Sequence, residues 1–256
     1  MRIISGLSNY DLIGKYYNAW VDEFFVWFLP FERIKKYVFE VSINRRYVYG
    51  EQIMSKSIFS MFIKKVHYYK KEIFLTLNEQ YYTDEQIEYI SLYLKEIKKI
   101  WEIDWIIVAN MIIMDYLNEI WFEWNIHLSW DFWIYNIETL DFILNRYKNL
   151  KIDRLIFPRE TSLKEIEVFI NYIKDNSLNI ETEAFILESP CVFNWSSCRA
   201  NHWYDSDSLC QILSYTENQY WLDIIWYKQC WFCFIKKLKD IWVDVLKVPW
   251  RWLNLI

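Results

Sequence analysis

The sequence predicts an α/β fold, a single (β/α)8 barrel with parallel strands. Three observations lead there. Short apolar runs alternate with helical patterns along the whole chain. Eight such runs occur, and strand–helix repetition predicts a parallel sheet that eight units close. The length of 256 residues matches the roughly 250 that such a barrel needs.

The strand candidates are Arg2–Leu7, Glu23–Leu29, Ile73–Asn78, Trp105–Asn110, Ile126–Ser129, Arg154–Pro158, Glu181–Leu187 and Asp244–Pro249. Each is apolar, with polar residues gathering at its C-terminal end. That pattern suits strands buried on both faces. Between them, Thr83 with Gln86 makes a capping box before a periodic helix running to about Lys99. Ser162 with Glu165 makes another before a helix to about Lys174, and Ile137 to Tyr147 has apolar residues at helical spacing. A doubly wound open sheet is the competing arrangement, and no G-x-G-x-x-G supports it.

Two stretches exceed a minimal unit: Arg33 to Lys71, and Glu188 to Gln229. The expected organisation is one domain over residues 1–256 with a cysteine-bearing insertion at about 188–233. The chain stops soon after the eighth strand, so the last helix is expected to be missing or truncated.

Composition narrows the function classes. The chain is 54% hydrophobic with a net charge of −5, so bulk electrostatics give no reason to expect DNA or anionic-membrane binding. No signal peptide and no run of about 18 apolar residues is visible, which leads us to expect a cytoplasmic protein without a membrane span. All five cysteines lie between Cys191 and Cys233. A late cluster in such a chain favours a metal site over disulfides; the alternative is buried free thiols.

Tryptophan usage is anomalous. There are 16 Trp and 3 Gly, whereas average usage of about 7% predicts roughly 18 Gly. Trp130 and Trp133 flank Asp131–Phe132 after a strand, Trp250 and Trp252 flank Arg251 after another, and Trp195 lies between two cysteines. Such loop positions ordinarily want glycine. The pattern is that expected of a translation in which UGA, read as glycine in some bacterial lineages, is written as Trp; the alternative is a genuinely Trp-rich protein.

Four segments carry a resemblance. Glu183-Ala184-Phe185, continuing through Ser189 to Cys191 and then Cys198, resembles the signature E-x-F-x-x-G-[SA]-hydrophobic-C, followed by a further Cys, of the collagenase-like peptidases (peptidase family U32). Glu188 stands where the family has Gly, and Pro190 where it has a hydrophobic residue. Arg154 to Ile166, with Pro158, Arg159 and Glu160, is similar to a second family segment. Ile126 to Asn136, with Ser129, is similar to a third. Val243 to Arg251, with Lys247, is similar to a fourth, and Trp250 stands there in place of Gly. The good matches cover about residues 100 to 252.

This resemblance implies a 4Fe–4S cluster on Cys191, Cys198, Cys210 and Cys230. The family Cys preceding the lysine lies seventeen residues before it, which selects Cys230; Cys233 is the alternative. Four thiolates are the usual ligand set for such a cluster, and zinc accepts the same set. The resemblance further implies oxygen-independent hydroxylation of a tRNA or rRNA nucleoside or a quinone precursor. The implied partners are a paired family member and an RNA or small-molecule substrate. Alternatives are a peptidase of unassigned mechanism and a non-catalytic, cluster-bearing interaction protein.

A barrel places function at the C-terminal ends of its strands. The candidates there are Asn78, Asn110, Ser129, Asp131, Arg159, Glu160, Glu183, Lys247 and Arg251. Of these, Arg159, Glu160, Lys247 and Arg251 are the catalytic candidates. Lys247 and Arg251 suit a carboxylate or phosphate; the alternative for each is a salt bridge in the barrel rim. No H-E-x-x-H or G-x-S-x-G is present. His127 is expected in the core or rim, and His202, four residues after Cys198, in a surface loop, with a partner to the metal site as the alternative.

Overall fold

The computed structural model describes residues 1–31, 43–44, 52–79, 82–100, 103–120, 122–159, 161–186 and 231–248. The strands are β1 (Arg2–Gly6), β2 (Glu23–Val26), β3 (Glu72–Leu77), β4 (Trp105–Val108), β5 (Asn125–Leu128), β6 (Lys151–Ile156), β7 (Glu181–Phe185) and β8 (Val245–Val248). Each pairs in parallel with the next. β8 pairs with β1 through Arg2 opposite Val245 and Ile4 opposite Lys247, which closes the barrel. All eight expected strands are present, so the closed form and not the open sheet is correct. β6 starts three residues earlier than expected, at Lys151. Its polar opening, Lys151 to Arg154, hid it from an apolarity argument.

The helices are α1 (Ile13–Asn18), α2 (Lys56–Tyr68), α3 (Asp84–Ile100), α4 (Met111–Glu119), α5 (Ile137–Arg146), α6 (Leu163–Asp175) and α7 (Trp231–Asp240). Local chemistry starts most of them. The Thr83–Gln86 box is reciprocal, with the Thr83 N–H donating to Gln86 Oε1 at 2.6 Å and the Gln86 N–H to Thr83 Oγ1 at 3.3 Å. Ser162 and Glu165 make the same exchange. Ser55, Asn110 and Asn136 cap α2, α4 and α5 by accepting a first-turn N–H. Each cap satisfies donors that a helix start leaves orphaned.

One expectation needs correcting. The stretch Arg33 to Lys71 is not wholly an insertion, because its second half is α2, the second unit's own helix. α2 buries Phe59, Phe62, Ile63 and Val66, a helical stripe that fastens it to the barrel.

The core has two compartments. The larger lies between the sheet and the helices and is apolar, with Phe24, Val26, Leu75, Val108, Leu128, Leu155 and Leu246 meeting side chains such as Phe59, Ile90, Leu140 and Phe169. The smaller lies inside the barrel, where Ile4, Phe25, Trp27, Phe74, Ile107, Ile156 and Val245 meet. Strand alternation assigns neighbouring residues to opposite compartments. A β-bulge where β5 meets β6, between Ile126 and His127, places Asp153 as an extra residue beside Arg154. Among the described residues no helix is long and apolar enough to cross a membrane.

Candidate functional site at the barrel mouth

The mouth is the end of the barrel at which the strands finish. Several expected residues come together there. Ser129 and Asp131 are both buried on the short 3-10 turn that follows β5. The Asp131 Oδ2 accepts from Asn78 Nδ2 at 3.2 Å and from the Ser129 hydroxyl at 3.4 Å. These contacts tie the end of β3 to the turn after β5. Arg159, just beyond β6, places its guanidinium 4.6 Å from the Trp130 ring centre and 4.9 Å from that of Phe185. Two aromatic faces thus hold one cation in place.

Lys247 on β8 is buried. Its Nζ lies 2.7 Å from Glu183 Oε1, 4.4 Å from the Phe25 ring centre and 5.6 Å from that of Phe185. The alternative of an internal salt bridge therefore describes Lys247. Asn110 serves as the α4 cap, accepting the Ile112 N–H at 2.7 Å. Glu160 and Arg251 lie outside the described residues, as do Cys191, Cys198, Cys210, Cys230 and His202. Cys233 lies in α7. Among the described residues no group of three or more His, Cys, Asp or Glu is placed to hold a metal ion.

Below the mouth runs a charged network that the sequence reading missed. Arg154, buried in the barrel, is its hub. Its Nη1 lies 2.6 Å from Glu23 Oε2 and 3.0 Å from Glu183 Oε2, and its Nη2 lies 3.0 Å from Glu23 Oε1 and 2.8 Å from Glu181 Oε2. Arg2 extends the network, meeting Glu23 at 3.0 Å and also contacting Glu181. Glu183 joins it to Lys247, so an alternating chain of opposite charges runs from the floor of the barrel toward the mouth. Three cations and three carboxylates balance formally. Burial opposes charge on Arg154, but Glu183, Glu23 and Glu181 outweigh it and hold the guanidinium firmly charged. Burial also pushes the Glu23 carboxyl up, against the pull of Arg154. Glu183 and Lys247 were among the expected mouth residues; the missed signal was Arg154, a charge where a doubly buried strand ordinarily carries Val, Ile or Leu, with Glu23, Glu181 and Arg2 around it.

His127 lies in the barrel interior as expected, with ring centres 4.8 Å from Phe74 and 5.3 Å from Trp105. Burial, reinforced by the charges of Arg154, Lys247 and Arg2, holds it well below its ordinary pKa, so it is neutral. Its Nε2 is 3.6 Å from Asp153 Oδ1, beyond hydrogen-bonding distance. Burial pushes the Asp153 carboxyl up to about 7, over the opposing pull of Arg154. His67 pairs with Asp104 at 2.9 Å, away from the mouth.

All four expected cluster ligands fall in sequence between β7, whose C-terminal end is at the mouth, and α7.

Comparison with known proteins bears on this architecture. A search of curated proteins finds no match. Among solved structures, the U32 peptidase Mk0906 superposes with a TM-score of 0.52 at 9% identity, over 73% of this chain and 68% of that one. At that identity the likeness concerns the fold alone. An α-amylase from Lactobacillus plantarum superposes at a TM-score of 0.43 and 10% identity, over 73% of this chain and 62% of its own. The sequence pattern that defines peptidase family U32 matches residues 37–212. That span is more than half of the sequence and runs from the connection after β2 into the cysteine-bearing segment; the chain belongs to peptidase family U32.

Proposed function

We propose that this chain carries a 4Fe–4S cluster on Cys191, Cys198, Cys210 and Cys230 and acts in oxygen-independent hydroxylation of an RNA nucleoside or a quinone precursor. What supports the reading is the sequence position of all four cysteines, between the mouth end of β7 and the start of α7. A barrel uses such connections to build its active site. Four thiolates are the donor set a cubane cluster takes. When bound, the cluster supplies one-electron chemistry.

The chain's own residues supply the binding surface. Arg159, between Trp130 and Phe185, offers a fixed planar cation for a carboxylate or phosphate. Glu183 holds the Lys247 ammonium at 2.7 Å, so a substrate anion would compete for a lysine already positioned. The Asn78, Ser129 and Asp131 group lies beside them, since Ser129 and Asp131 flank Trp130.

Anaerobic purification with iron and sulfide analysis tests the reading. About four irons per chain, the content of one cubane cluster, lost in Cys191→Ala, is the expected result. Zinc in place of iron under anaerobic conditions would overturn the cluster. The second reading, a peptidase, is favoured by the family assignment. In the described mouth the Ser129 hydroxyl donates to the Asp131 carboxylate at 3.4 Å, and a serine nucleophile needs such a base to take its proton. Metal-free protein that cleaves peptides at an undiminished rate would establish the peptidase instead.

A further inference from the structure

Among the described residues, five non-glycine residues adopt positive φ: Trp20 at 64°, Lys70 at 55°, Trp133 at 63°, Ser177 at 52° and Trp242 at 73°. None of the described glycines does. A side chain in this region crowds its own backbone, and glycine avoids that cost because it has no Cβ. Among residues with a Cβ, the short polar Asn and Asp tolerate it best. Tryptophan has neither quality, yet it fills three of the five places.

The fold imposes the geometry. At the end of α1, the Trp20 N–H donates to the Tyr17 carbonyl at 3.1 Å and the Val21 N–H to the Tyr16 carbonyl at 3.1 Å. At the end of α7, the Trp242 N–H donates to Lys239 at 3.0 Å and the Val243 N–H to Leu238 at 3.0 Å. This paired closure puts the residue after the helix in the left-handed region, where glycine is usual. It turns each helix into the next strand within a few residues. The same closure ends α2 at Lys70 and α6 at Ser177, so the demand belongs to the barrel's repeating unit.

The indoles return little for that cost. Trp20 is 82% exposed and Trp242 72% exposed. Trp133 closes the mouth turn by donating its N–H to the Trp130 carbonyl at 3.2 Å. Its indole Nε1 is buried with no hydrogen-bond partner among the described residues, a second cost at the same residue. A docking patch made of Trp20 and Trp242, on the floor of the barrel either side of β1, would explain neither their backbone conformation nor Trp133.

We infer that the native polypeptide carries glycine at positions 20, 133 and 242, because the codon written here as Trp specifies glycine in the source organism. The backbone singles out these three positions independently of the composition that first raised the question. The proposal rests on none of the functional readings above.

The test has two arms. The gene should carry UGA at codons 20, 133 and 242, and mass spectrometry of tryptic peptides from the native host's protein should give glycine masses there. Tryptophan masses, from either UGG or UGA codons, would overturn the proposal. In the second arm, the chain is expressed with UGG at all three positions. Trp20→Gly and Trp242→Gly should each raise the folding equilibrium constant about fivefold, the equivalent of about 1 kcal/mol, and Trp20→Ala and Trp242→Ala should not. If alanine matches glycine at both sites, the gain comes from deleting an exposed ring and the backbone argument fails.

Discussion

The two compartments of the core differ in kind. Outside the sheet, apolar strand residues meet apolar helix stripes. Inside the barrel, Arg2, Glu23, Arg154, Glu181, Glu183 and Lys247 occupy space that barrels commonly fill with branched aliphatics. Replacing such a buried network by hydrophobic residues is often neutral or stabilising, so the fold does not need it. The outer compartment packs by apolar burial, whereas the inner one combines a smaller apolar cluster with a network that holds a lysine beneath the mouth. The difference sets β1, β2, β6, β7 and β8 apart as the charged side of the interior.

Breaking the network at its hub should have the largest effect. Arg154→Ala leaves Glu23 and Glu183 buried without their shared cation, and we expect a loss of about 4 kcal/mol in urea unfolding. Phe59→Ala, in the outer compartment between Phe28 and the barrel wall, should cost about 3 kcal/mol. These two losses distinguish the compartments, because only the first should shrink when the buried carboxylates are also removed. Arg154→Met combined with Glu23→Leu and Glu183→Leu should recover much of the stability, whereas no neighbouring substitution should rescue Phe59→Ala.

A smaller effect sharpens the comparison through pH. The Asp153 carboxyl is raised in the folded state from an ordinary 3.8 to about 7. An acid raised by folding binds its proton more tightly in the native state. Its contribution is therefore fully present below pH 3.8 and is lost as pH rises through 7. His127, lowered by burial, acts in the opposite sense, withdrawing stability as pH falls below its ordinary 6.5. Asp153→Asn should flatten the decline in stability between pH 4 and 7, measured as urea midpoints across that range. An unchanged slope in the variant would place the titrating group elsewhere. The smallest effect is expected at the surface: Ser162→Ala removes the α6 cap and should cost about 1 kcal/mol.

The outer compartment was largely legible in the sequence, and the inner one was not. Alternation and capping are local signals. The boxes at Thr83 and Ser162 and the apolar runs of β3, β4 and β5 could be read from a few neighbours. Arg154 and Glu23 are 131 residues apart in sequence. No local pattern announces that pair, and it meets only because the closed sheet brings β6 and β2 to face each other across the interior. α2 was hidden for a different reason: its Ser55 cap stands alone, without the reciprocal Glu or Gln that marks the boxes at Thr83 and Ser162. At the mouth, the family signature drew attention to Arg159 and Lys247, but their ring neighbours Trp130, Phe185 and Phe25 come from three different strand ends.

The most direct test of the functional account is the electron paramagnetic resonance spectrum of anaerobically purified, dithionite-reduced protein, recorded beside Cys191→Ala. The account predicts the signal of a reduced 4Fe–4S cluster in the parent chain and its loss in a variant that retains the parent's far-ultraviolet circular dichroism. A parent chain that shows no cluster signal after anaerobic reconstitution with iron and sulfide would contradict it.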